Sequence, residues 1–112
     1  MNAQFKQELD RYIKHISALD EVHKIYLFGS CINGDSDDAN DIDLLVLVDE
    51  GLDRLKVGMK LNKGLFDRTI PLDILVDWES SFELKAQECT LQREVKSKGV
   101  LLYDKHGMSG VA

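Results

Sequence analysis

The sequence predicts an α/β (α+β) fold: a small mixed β-sheet with helices packed mainly on one face. Three observations lead there. Apolar residues recur at helical spacing near the N-terminus. Two short, strongly apolar runs, Ile42–Val48 and Ile70–Val76, have the length and β-branched content of strands and are separated by a helical stretch. The chain has 112 residues, enough for one modest core, and its longest purely apolar run, Leu44–Val48, is far shorter than a membrane span.

In chain order, Phe5, Leu9, Tyr12, Ile13, Ile16 and Leu19 mark an amphipathic helix over Ala3–Ala18. Asp20-Glu21 breaks it. Val22–Phe28 ends apolar and suits a strand entering the interior, with His23 and Lys24 near water at its start. Asn33–Asn40 is rich in Asn, Gly, Asp and Ser and predicts a loop. Ile42–Val48 predicts a central strand buried on both faces, ended by Asp49-Glu50-Gly51. A helix follows over Leu52–Leu65, with Leu52, Leu55 and Met59 on one face and Gly58 and Gly64 weakening it. Thr69–Val76 is the third strand, and Pro71 places its start or marks an edge. Asp73, Leu75 and Asp77 fall on one face of it; Leu72, Ile74 and Val76 fall on the other. Ser80-Ser81-Phe82-Glu83 has the spacing of a capping box, so a helix is expected from Ser80 to Lys98, stopped by Gly99. Val100–Tyr103 closes the chain as a short strand. One domain is expected over residues 1–106, with 107–112 as a disordered tail.

Composition narrows the function. The net charge is −6, and the 14 basic residues include just four arginines, Arg11, Arg54, Arg68 and Arg93. A broad basic face for nucleic acid is therefore not expected. Cys31 and Cys89 lack metal-ligand spacing and read as free thiols, which together with an N-terminus unlike a signal peptide suggests a cytoplasmic protein. His15, His23 and His106 are scattered and suggest no nucleophile–His–acid set. Neither a phosphate-binding Gly-x-x-x-x-Gly-Lys nor a Gly-x-Gly-x-x-Gly is present.

The chemistry concentrates between Gly29 and Asp43. Gly29-Ser30 follows the first strand, where glycine permits a sharp turn and a following helix start favours a phosphate. Asp41 and Asp43 have strand spacing and leave the same face at the head of a very apolar strand. Carboxylates there are costly to desolvate, and a divalent cation compensates. A turn-capping role for the pair is the competing explanation. Asp73, within the third strand, is the favoured third acid over Asp77, which shares its face. Asp35, Asp37 and Asp38 fit a solvated loop; counted from Asp35, the twelfth position is Val46, which excludes a calcium loop. Cys31 and Trp78 fit packing roles better than reactive or base-stacking ones.

Gly29-Ser30, ten residues, Asp41-x-Asp43 and a later strand Asp resemble the nucleotidyltransferase superfamily that contains DNA polymerase β. The resemblance extends from about Val22 to Val76, and Gly99–Tyr103 is similar to the end of its small single-domain members. It implies a Mg²⁺-dependent transfer of a nucleoside monophosphate, AMP from ATP or another NTP, to a hydroxyl. Asp41, Asp43 and Asp73 would be the catalytic residues and the ligands of a two-ion site, and Gly29 and Ser30 would hold phosphate. Many relatives carry arginines after Gly-Ser, whereas Cys31, Ile32 and Asn33 stand here; Asn40 replaces a common Ser. Small relatives are often antitoxins that add AMP to a tyrosine of a helical HEPN-type toxin, so such a partner is the leading expectation. Nucleotidylation of a small molecule such as an antibiotic, and a degenerate fold serving as a binding subunit, are the alternatives. A chain this short needs its acceptor to dock on a second protein, a second copy in a homo-oligomer, or a shallow groove.

Overall fold

Alternation and helical periodicity place most elements where the sequence expects them. The structure, a computed structural model, describes residues 3–29, 42–63, 65, 70–88 and 91–105. Their order is α1 (Ala3–Ser17), β1 (Val22–Phe28), β2 (Ile42–Val48), α2 (Arg54–Asn62), β3 (Leu72–Trp78), α3 (Glu79–Lys85), α4 (Leu91–Lys98) and β4 (Val100–Asp104). The 33–40 loop, the turn into Ser30, Thr69 and the 107–112 tail lie outside the described residues, as do Cys31, Cys89 and His106.

The four strands form one mixed sheet in the order β3-β2-β1-β4. β1 runs antiparallel to both β2 and β4, while β2 and β3 are parallel, joined through α2. β2 is interior to the sheet and buried on both faces, which explains its unbroken apolar run. Ile42, Leu44, Val46 and Val48 meet Phe5, Leu9, Tyr12 and Ile16 of α1 and Val57 and Leu61 of α2 in the larger cluster. Leu45 and Leu47 join Phe82 of α3 and Val95 of α4 in a smaller cluster on the other face. There the Phe82 ring stacks on Tyr26, with centroids 5.4 Å apart. The two longer helices thus cover one face, and two short helices cover part of the other.

Three local expectations are corrected. The α2 core face is Val57 and Leu61; Leu55 and Met59 point to solvent, 75% and 63% exposed. Leu52 precedes the helix, which Asp53 caps by accepting from the Leu55 and Lys56 amides, and this sets the helical phase. The helix expected over Ser80–Lys98 is two helices, α3 and α4. The capping box is not formed: Trp78 is the N-cap of α3 without a side-chain bond. Ser80 Oγ donates instead to Glu50, and Glu83 pairs with Lys96. The third strand, expected over Thr69–Val76, is Leu72–Trp78: Ile70 and Pro71 precede it, and Asp77 and Trp78 belong to it. Gly99 does end α4: its amide donates to the Val95 carbonyl at 2.7 Å, and a Cβ there would come within 2.5 Å of that oxygen.

Candidate functional site

The parallel pairing of β2 and β3 decides the site. Its register sets Asp43 beside Asp73, with Ile42 beside Leu72 and Leu44 beside Ile74. Register partners on adjacent parallel strands lie about 4.8 Å apart and project to the same side. That side is the face of Leu45 and Leu47, which α3 and α4 cover further along. Near the N-terminal ends of both strands the face is open: Asp43 is half-buried and Asp73 exposed.

Gly29 completes the arrangement. Phe28 pairs with Asp43 across β1 and β2, so Gly29 leaves β1 directly over that carboxylate. Its φ is +88°, in the region that favours glycine. A Cβ at this position would collide with Asp43 Oδ2 and lie 3.3 Å from Cγ. Glycine therefore serves both the turn and the close approach of backbone to carboxylate.

Two like charges this close repel by roughly 1–4 kcal/mol between the dielectric of water and that of a protein surface. Hard oxygen donors on one open face suit Mg²⁺, and its charge would reverse that repulsion. The donor set therefore fits a divalent ion. Asp41 and Ser30, the other members expected from the sequence, lie outside the described residues. Among the described residues, no group of three metal-ligating side chains gathers.

Asp77, the rival third acid, has another task. It shares Asp73's face but is 1% exposed. Its Oδ1 accepts from the Trp78 amide at 2.8 Å and Arg54 at 3.1 Å. Its Oδ2 accepts from Lys85 at 3.4 Å and Gln92 at 3.5 Å. Burial alone would raise its pKa, but the Trp78 amide, Ser81, Lys85 and Arg54 together hold it below the ordinary value. Asp77 thus ties α2, α3 and α4 to the end of β3. Arg54, Lys85 and Gln92 come from three different helices, so only its strand face was visible in the sequence. Trp78 packs as expected: its Nε1 donates to the Leu52 carbonyl at 2.8 Å, and Arg54 lies 4.5 Å from its ring centroid. A groove of about 760 Å³ runs between α2 and β3, lined by Leu55, Met59, Ile74 and Leu75 among others. It contains neither Asp43 nor Asp73.

Residues 10–107 match the family Polymerase beta, Nucleotidyltransferase. This chain belongs to that family. The match spans every described strand and carries Gly29, Asp43 and Asp73 within it. A Methanocaldococcus jannaschii protein carrying the name protein adenylyltransferase MJ0141 is 33% identical over 73 residues, covering 65% of this chain and 68% of that relative. Among solved structures, a chain of a toxin–antitoxin complex with AMP-PNP shares 25% identity at a TM-score of 0.51, covering 89% of this chain and 73% of its own. A chain from the complex of tri-AMPylated Shewanella oneidensis HEPN toxin with MNT antitoxin superposes at a TM-score of 0.53. It is 23% identical, and the match covers 95% of this chain and 77% of that one. The nucleotidyltransferase fold and enzyme class expected from the Gly-Ser and Asp spacing therefore stand.

Proposed function

We propose that this nucleotidyltransferase moves AMP from ATP onto a hydroxyl of a partner protein, a tyrosine of a HEPN-type helical toxin. The register of Asp43 with Asp73 beside Gly29 carries the reading of the site. The protein-modifying role draws support from the adenylyltransferase relative and from the fold shared with chains of toxin–antitoxin complexes.

Asp41, Asp43 and Asp73 would hold Mg²⁺, a two-ion site being usual for this reaction. Held by these carboxylates, such ions would supply positive charge to the attacking and leaving oxygens. Gly29 and Ser30 would bind the terminal phosphates through backbone N–H groups. Asp73, itself exposed and on a strand at the edge of the described sheet, would face the acceptor. One of its Oδ atoms takes the proton from the acceptor hydroxyl. The acceptor oxygen bonds to the α-phosphorus, the bond to the bridging oxygen of the β-phosphate breaks, and pyrophosphate leaves.

The experiment is incubation with labelled ATP and Mg²⁺ in the presence of the partner, scored by mass for AMP on a tyrosine. Transfer by the wild type and none by Asp43→Asn supports the reading. Equal labelling by both, or by neither, overturns it.

A further inference from the structure

We propose that the Tyr12 hydroxyl is a positioning device that holds the start of β3 so that Asp73 stays beside Asp43. This rests on the reading of Asp73 as the acceptor-side carboxylate. Tyr12 lies on the buried face of α1 and is fully enclosed in the larger cluster. Its hydroxyl donates to the Ile70 carbonyl at 2.6 Å, across 58 residues of sequence. The next carbonyl, that of Pro71, accepts from the Ile42 amide at 2.8 Å. Leu72 and Asp73 then take their places beside Ile42 and Asp43.

Two successive carbonyls ahead of β3 are thus fixed to two different elements, one to α1 and one to β2. Pro71 has no N–H to contribute and a fixed φ, so the segment is held through its acceptors. Among the described residues β3 is an edge strand paired to β2, so the ladder holds its start from one side. Burial raises the Tyr12 pKa and a side-chain hydrogen bond with Glu8 adds to it, so the phenol keeps its proton at neutral pH, with the Ile70 carbonyl and the Glu8 carboxylate both at its hydroxyl. Glu8 is itself held by Arg11 at 3.1 and 2.9 Å. An apolar cluster filled for volume alone would be served equally by phenylalanine. The hydroxyl adds one directed bond three residues ahead of Asp73.

Tyr12→Phe in the full chain keeps the ring and removes that bond and the contact with Glu8, and Glu8→Gln, which leaves the phenol and its bond to Ile70, is the control that should keep wild-type exchange at Ile42. Amide hydrogen exchange and transfer kinetics are the readouts. The Ile42 amide should exchange about tenfold faster while the Val46 amide in mid-strand does not change, since the lost bond lies at one end of the ladder. The kcat for transfer should fall about tenfold, with the KM for ATP unchanged and the Mg²⁺ concentration for half-maximal rate increased. Wild-type exchange at Ile42, or an equal acceleration at Ile42 and Val46, overturns the inference, because the hydroxyl then has no local role or acts on global stability alone. An unchanged kcat and Mg²⁺ dependence also overturns it. Asp73→Asn separates the two levels. If it abolishes transfer while Tyr12→Phe behaves as wild type, the positioning role is wrong and the site stands. If Asp73→Asn transfers normally, the reading of Asp73 itself fails.

Discussion

Gly29→Ala tests the site with a single methyl group. Two effects are superposed at this position. Alanine at φ +88° strains the backbone by about 1–2 kcal/mol. The new Cβ also occupies the space of Asp43 Oδ2, so the carboxylate must retreat by about 1 Å to reach ordinary van der Waals separation. A misplacement of that size in a catalytic group costs on the order of 10²-fold in rate. Gly51→Ala is the control: its φ is +84°, and a Cβ there meets nothing within 4 Å. Both variants should lose similar stability in thermal or urea denaturation, about 1–2 kcal/mol each. Only Gly29→Ala should lose transfer of label from ATP, by about 100-fold at temperatures where both are folded. Equal activity in the two variants would refute the argument that Gly29 is glycine to admit the Asp43 carboxylate.

Asp73→Asn should stabilise the metal-free fold by about 1 kcal/mol, since it removes the repulsion with Asp43 at a water-screened position, and reduce transfer by about 10²–10⁴-fold if Asp73 takes the hydroxyl proton. Asp77→Ala should do the reverse. Loss of a fully buried charge partner costs about 3–5 kcal/mol; about 2–3 is expected here, because Arg54 and Lys85 are 40% and 41% exposed and regain water. The Asp77 pKa is lower in the folded state, so its contribution is complete above the ordinary value of 3.8 and is lost as pH falls through the folded-state pKa. Acid denaturation of wild type and Asp77→Ala should therefore converge below that value. Phe82→Ala should cost about 3–5 kcal/mol in denaturant unfolding, since this side chain is 1% exposed and fills the smaller cluster against Tyr26.

The sequence made the strands that carry Asp43 and Asp73 legible because their signals are local. Alternation fixed which residues of β3 share a face, and the apolar run of β2 announced burial on both sides. Gly29, Asp43 and Asp73 could then be named before their register was known. The errors lie where distant contacts decide. Leu55 and Met59 fit a helical stripe as well as Val57 and Leu61 do, and only the Asp53 cap and the position of α2 over the sheet select between them. Ser80 and Glu83 have capping-box spacing, but Glu50 and Lys96 compete for their side chains from other elements. Asp77 and Asp73 have equivalent places in the strand pattern. The donors Arg54, Lys85 and Gln92, from three helices, give Asp77 a structural task, while Asp73 stays exposed beside Asp43.

The shared carboxylate site is tested most directly by counting Mn²⁺ bound in the presence of AMP-PNP, by electron paramagnetic resonance, in the wild type and in Asp73→Asn. Two ions per wild-type chain and one in the variant are expected, with folding unchanged. The same number bound to both proteins would contradict a role for Asp73 beside Asp43 in holding metal.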